Sequence, residues 1–139
     1  MSAKRILIDT SIWIEYFKIM PHGKLVERVD ELMTQEMAYI SDVVIAELLQ
    51  GAKSQNEIST ITELSETLAL VSQSQETWQR AGMLSHMLNK KGRSIHLVDC
   101  YIAVIAQENQ CQISTMDKHF EIITQYYPVK LDTSLKVSK

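Results

Sequence analysis

The sequence predicts an α/β domain with a mostly parallel central sheet sandwiched by helices. Short apolar runs suited to buried strands alternate with longer segments whose apolar residues recur at helical spacing. Only four Gly and two Pro punctuate 139 residues, so most of the chain is expected in helices joined by short connections. No repeat, Ser/Gly linker or compositional break divides it, and residues 1–139 are read as one domain. With 45% hydrophobic and 22% charged residues, the chain can bury a core, which excludes a disordered one.

Ile6-Leu7-Ile8 reads as the first strand, and Asp9-Thr10-Ser11 offers oxygens to cap a short helix over Ile12 to Lys18. Pro21 and Gly23 stop that helix. Leu25, Val26, Val29, Leu32 and Met33 keep helical spacing in a segment running to Met37, and Met37 to Ile40 is a second strand. Ser41 is an N-cap for a helix from Asp42 to about Gly51. Ile58, Ile61, Leu64, Ser65 and Leu68 mark a further helix that leads into a Leu68–Val71 strand. Thr77 to Lys91 is a long helix carrying Trp78, Ala81, Leu84, Met87 and Leu88 on one face, closed by Gly92. Leu97 to Ala106 is apolar at every position but Asp99, which predicts a helix buried nearly all round. Strands at Cys111–Ser114 and Val129–Leu131 flank a short helix, Met116–Ile123.

Composition excludes several classes. No segment approaches the roughly 18–20 apolar residues that span a bilayer. Met1-Ser2-Ala3-Lys4-Arg5 leads into three apolar residues, far short of a signal-peptide core of about 7–15. Cys100 and Cys111 form neither a disulfide framework nor a CxxC pattern. These readings predict a cytoplasmic, reduced protein with no membrane association. A net charge of −3 and a pI of about 5.8 exclude a broad basic nucleic-acid binder.

The informative residues are carboxylates in apolar surroundings. Asp9 ends the first strand, Glu47 interrupts Val43–Leu49, and Asp99 is the one charge in its helix. A buried, unpaired carboxylate costs several kcal/mol or takes up a proton, so each needs a partner, a metal or an opening to water. Alone, Asp9 could cap a helix, Glu47 could pair with a lysine or lie on a narrow solvent face, and Asp99 could answer a helix dipole. In an open α/β sheet, however, ligands sit at the carboxyl ends of the strands. Asp9 ends one strand, and Asp117 follows the Ile113-Ser114-Thr115 strand end. Carboxylate oxygens without adjacent Cys or His ligands favour Mg²⁺ or Mn²⁺. The matching reaction is in-line displacement at phosphorus by a metal-activated water.

These stretches resemble the PIN domain, specifically the toxin ribonucleases of VapBC-type toxin–antitoxin systems. The resemblance rests on Ile6–Ser11, on Ile40–Leu48, on Gly92–Asp99 continuing through Ile102–Ala106, and on Thr115–Phe120. Their four acids stand 38, 52 and 18 residues apart, in the family's order. The resemblance implies that Asp9, Glu47, Asp99 and Asp117 are the catalytic, metal-binding acids. It further implies a parallel sheet between helices, a homodimer, and Mg²⁺- or Mn²⁺-dependent cleavage of RNA leaving a 3′-hydroxyl and a 5′-phosphate. A cognate VapB-like antitoxin would block the site. Asp9 and Asp99 are then the direct ligands, Glu47 a ligand or the group that orients and deprotonates the water, and Asp117 a group acting through water or on a second ion. Thr10, Ser11 and Thr115 are contacts to these acids or to phosphate, or plain caps. Cys100 and Met116 depart from the family's usual small or polar residues; Cys100 reads as a buried hydrophobe, and Met116 bears on RNA preference.

Lys53, Lys90, Lys91, Arg93, Lys118 and His119 read singly as ordinary solvated charges; as a set flanking three of the four acids they are expected to meet the RNA backbone. His22, His86 and His96 lack ligand spacing and are read as structural. Trp13-Ile14-Tyr16-Phe17 and the Leu25–Met37 helix are expected either to form a groove for an antitoxin or dimer partner or to be core. Alternative readings are an RNA-processing PIN nuclease without an antitoxin and an inactive PIN-like binding module. Assigning four acids to a metal site leaves the remaining chain slightly positive, so RNA affinity should depend on divalent metal.

Overall fold

Three consecutive, fully buried residues make β1, Ile6–Ile8, as expected of a strand covered on both faces. The computed structural model describes residues 4–134; residues 1–3, and with them most of the N-terminal stretch read above, lie outside the described residues, as do 135–139. After β1 come α1 (Thr10–Tyr16), α2 (Gly23–Thr34), β2 (Ala38–Ile40), α3 (Asp42–Gln50), α4 (Gln55–Thr67), β3 (Ala69–Leu70), α5 (Thr77–Lys90), α6 (Leu97–Glu108), β4 (Gln112–Ser114) and α7 (His119–Ile123).

The sheet order is β3-β2-β1-β4, and all pairings are parallel. Leu7 stands opposite Tyr39 on one side and Ile113 on the other. The chain steps from β1 to β2 to β3 in one direction, then returns across the sheet to β4. Right-handed crossovers therefore put α1–α4 on one face and α5–α6 on the other. Helix packing divides the same way: α1 rests on α2 and α3, α3 on α4, α5 on α6, and α6 on α7.

Helix α6 lies inside, with seven consecutive buried residues from Cys100 to Ala106. Its Tyr101 ring stacks on Trp78 of α5 at 4.0 Å between centroids, and the Tyr101 hydroxyl donates to Gln73 Oε1 at 2.6 Å. The first turn of α6 is open, with Leu97 47% exposed, so Asp99 sits in an otherwise buried helix beside water. Ser41 caps α3 as expected, accepting from the Val44 N–H at 3.3 Å. Gly92 closes α5 in the left-handed region, with φ of 75°. Glu36 and Gln110 take the equivalent left-handed positions after α2 and α6, at φ of 57° and 55°.

Three expected elements differ. Segment Leu25–Met37 stops being helical at Thr34, because the left-handed Glu36 turns the chain into β2. The final helix begins at His119 rather than Met116, since Thr115 and Asp117 hydrogen-bond within a turn there. Val129–Leu131 makes only an isolated parallel bridge, Leu131 to Ile113, closed by Ile113 N–H to Lys130 O at 3.0 Å and Asp132 N–H to Ile113 O at 2.8 Å.

Candidate active site

The reversal in strand order lies between β1 and β4, where an open parallel sheet forms a crevice beyond its carboxyl ends. The Asp9 N–H donates to Ser114 O at 2.9 Å, tying the two strand ends together. Asp9 is 6% exposed and makes no side-chain capping hydrogen bond to α1. Its Oδ2 instead accepts from Thr115 Oγ1 at 2.8 Å and Ser11 Oγ at 3.0 Å. Burial raises the Asp9 pKa; the Thr115 and Ser11 hydroxyls and the nearby Thr10 and Ser11 amides work against that rise.

The same hydroxyls shape the loop after β4. Ser11 Oγ also accepts from the Met116 N–H at 2.9 Å, and Thr115 Oγ1 accepts from the Asp117 N–H at 3.0 Å. Met116 is half-buried and packs on the core. Asp117 Oδ1 accepts from the His119 N–H at 2.9 Å, which starts α7 and points the turn.

Asp99, Asp117 and Glu47 line one cavity of about 430 Å³ with His96, Leu97, Val98 and His119. Asp99, Asp117 and His119 each bring one donor atom within 4.8 Å of the others. The Asp99 pKa is raised first by burial, then by the charges of Asp117 and Asp9, while His119 opposes the rise. Glu47 is exposed on the cavity wall, where Thr10 Oγ1 donates to its Oε1 at 2.7 Å. Of the four sequence-derived acids, then, three share a cavity and Asp9 lies in their electrostatic field, held by Ser11 and Thr115 at the strand end.

His119 is the residue whose place at this site sequence reasoning understates. The sequence groups it with surface cations, whereas its ring nitrogen faces two of the acids; the Asp117-x-His119 spacing is the available signal. His96, read as structural, is exposed at the cavity wall. Lys53 lines a second cavity that shares Glu47. Lys91 lies over the Tyr126 ring at 5.5 Å, and Lys90, Arg93 and Lys118 are exposed.

That second cavity, about 730 Å³, lies beside α1 and not between α1 and α2; for Trp13 and the α2 stripe the core alternative holds. Its walls are Ile14 of α1 with Phe17 and Ile19 just beyond that helix, and the α3–α4 pair through Leu48, Ile61 and the connecting Ala52. Helix α2 is not a wall, because its apolar stripe of Leu25, Val29 and Leu32 is turned into the core. Trp13 is fully buried.

The chain matches the PIN domain over residues 6–125. It is 29% identical over 124 residues to Ribonuclease VapC11 of Mycobacterium tuberculosis and to a VapC ribonuclease of Mycobacterium bovis, covering 86% of this chain and 92% of each relative. Among solved structures it resembles VapBC-1 from nontypeable Haemophilus influenzae, at 25% identity and a TM-score of 0.74, over 94% of this chain and 98% of that one. It also shares the fold of DNA-bound VapBC from Salmonella typhimurium, at 20% identity and a TM-score of 0.77, over 96% of this chain and all of that one.

Proposed function

This chain belongs to the PIN domain family, and from that premise we propose that it is a divalent-metal-dependent endoribonuclease, the toxin of a VapBC-type pair. The observation that supports this reading is the gathering of Glu47, Asp99 and Asp117 around one cavity at the carboxyl edge of the sheet, with Asp9 beside them. The donor set suits the family's metal: these are hard carboxylate oxygens, and the charges of Asp117 and Asp9 that raise the Asp99 pKa would be offset by a dication. Mg²⁺ or Mn²⁺ would be held by Asp9, Asp99 and Asp117, with Glu47 a fourth ligand or the water's base, and would supply Lewis-acid polarisation of a phosphoryl oxygen.

The chain's own groups do the rest. Glu47, with one oxygen held by Thr10, orients the attacking water and accepts its proton. Ser11 and Thr115 hold Asp9 in one orientation and set the loop that presents Asp117. Exposed Lys90, Arg93 and Lys118 attract the RNA backbone.

The VapC relatives and VapBC structures support a VapB-like antitoxin as partner. Its inhibitory segment would occupy the apolar cavity between α1 and α3–α4, which shares Glu47 with the acidic one, so an occupant there would crowd the reaction site. One domain over 1–139, a homodimer and a cytoplasmic location belong to the same proposal. Among the described residues no helix is long and apolar enough to cross a membrane.

The test uses purified chain freed of antitoxin. Structured RNA should be cut only with Mg²⁺ or Mn²⁺, and Asp9→Asn and Asp99→Asn should each abolish cutting. Metal-independent cleavage, or cleavage that survives both substitutions, refutes the reading.

A further inference from the structure

One imidazole stands among the carboxylates. Nδ1 of His119 lies 3.3 Å from Asp99 Oδ2 and 3.4 Å from Asp117 Oδ1. A charge-assisted N–H···O bond closes to about 2.7–2.9 Å, and a single ring N–H points in only one direction, so direct hydrogen bonding accounts poorly for both approaches. Donors in adjacent positions around a six-coordinate ion, each about 2.1 Å from it, stand about 3.0 Å apart. The two His119 spacings are close to that value, and all three donor atoms lie within 4.8 Å of one another, near enough to share one ion.

Two further features hold the ring there, and a third opens it to solvent. The His119 N–H bond to Asp117 Oδ1, at 2.9 Å, fixes the two residues relative to each other whatever the ring contacts. Phe120, the next residue, is fully buried and anchors α7. The His119 side chain is 45% exposed and lines the cavity, so an ion can reach it from solvent.

We propose that His119 contributes Nδ1 as a nitrogen ligand to the divalent ion held by Asp99 and Asp117, and so biases this site toward Mn²⁺ over Mg²⁺. The inference rests on the metal-dependent reading above. Mg²⁺ is satisfied by oxygen donors and water and gains little from an imidazole, whereas first-row transition ions bind nitrogen more strongly. A site built from the acids alone would lack that bias.

The experiment is pulsed electron paramagnetic resonance on the unaltered chain loaded with MnCl₂, with natural or ¹⁵N-labelled histidine. Electron-spin-echo modulation should show a directly bound ring nitrogen whose frequencies change on histidine labelling. In His119→Ala the nitrogen modulation should vanish, with Mn²⁺ affinity down about tenfold or more and Mg²⁺ affinity changed by less than about threefold. His96→Ala, at the same cavity, should keep the signal. Bound Mn²⁺ without histidine modulation, or modulation lost with His96 instead of His119, overturns the proposal and leaves the metal-dependent reading standing. No Mn²⁺ bound at millimolar concentration overturns both. The labelling arm needs no variant, so a His119→Ala chain that fails to fold does not shield the proposal.

Discussion

Thr115→Val should destabilise the protein through Asp9. The Thr115 hydroxyl donates at 2.8 Å to a carboxylate only 6% exposed, leaving the Ser11 hydroxyl as the other side-chain donor. A hydrogen bond to a charged group contributes about 1.5–3 kcal/mol, and valine keeps the shape while removing the donor. The hydroxyl also accepts from the half-buried Asp117 turn, where water can partly replace it. A loss of about 2 kcal/mol is expected. With an unfolding entropy of about 2.1 cal/mol/K per residue, that lowers the Tm of a 139-residue chain by about 7 °C. Urea denaturation at pH 7, without divalent ions, measures it for wild type, Thr115→Val, Asp9→Asn and the double variant. Pairing with Asp9→Asn removes the charge, so the Thr115→Val cost should shrink by about 1 kcal/mol or more in that background. The pH dependence has a definite sign. The hydroxyl favours ionised Asp9, so its loss costs most above the folded pKa of Asp9 and least once acid has protonated that group. An equal cost in the wild-type and Asp9→Asn backgrounds, or a cost below about 0.5 kcal/mol, would refute the assignment of Thr115 to Asp9.

Burial and the charges of Asp117 and Asp9 raise Asp99 above its ordinary 3.8, so the folded, metal-free state holds this proton more tightly than the unfolded chain. Its ionisation opposes folding: stability from this group is full below about pH 3.8 and is lost as pH rises through the raised value. Asp99→Asn should therefore stabilise the metal-free protein at pH 7 and flatten that slope in urea titrations, while removing RNA cleavage; a destabilised variant would contradict the electrostatic account. Gln110→Gly should add about 0.5–1 kcal/mol by relieving the left-handed backbone at φ of 55° after α6, read as a raised urea midpoint. Burial pushes the Cys100 and Cys111 thiols up to about 11, so iodoacetamide at pH 8 should label the folded chain far more slowly than the urea-unfolded one. Rapid labelling of the native state would count against that burial.

Much of this molecule was legible along the chain. The apolar runs Ile6–Ile8 and Ala38–Ile40 announced β1 and β2, because a strand covered on both faces carries no alternation. Ser41 and Gly92 marked helix ends through local hydrogen bonding and a positive φ. The acids stood out because a carboxylate in apolar surroundings costs free energy unless something compensates it. Those features are local, and local chemistry determines them. Convergence is different. Which face a helix covers follows from the strand order β3-β2-β1-β4 and its crossovers, and that order decided that α3–α4, not α2, would wall the apolar cavity with α1. The Asp99–His119 approach joins α6 to the start of α7 across 20 residues, and no periodicity along the chain records a distance between two elements. Sequence alone determined which residues could not lie idle. Packing of the helices on the sheet decided which of them meet, since only the folded chain brings distant side chains within the few ångströms where charge and coordination act.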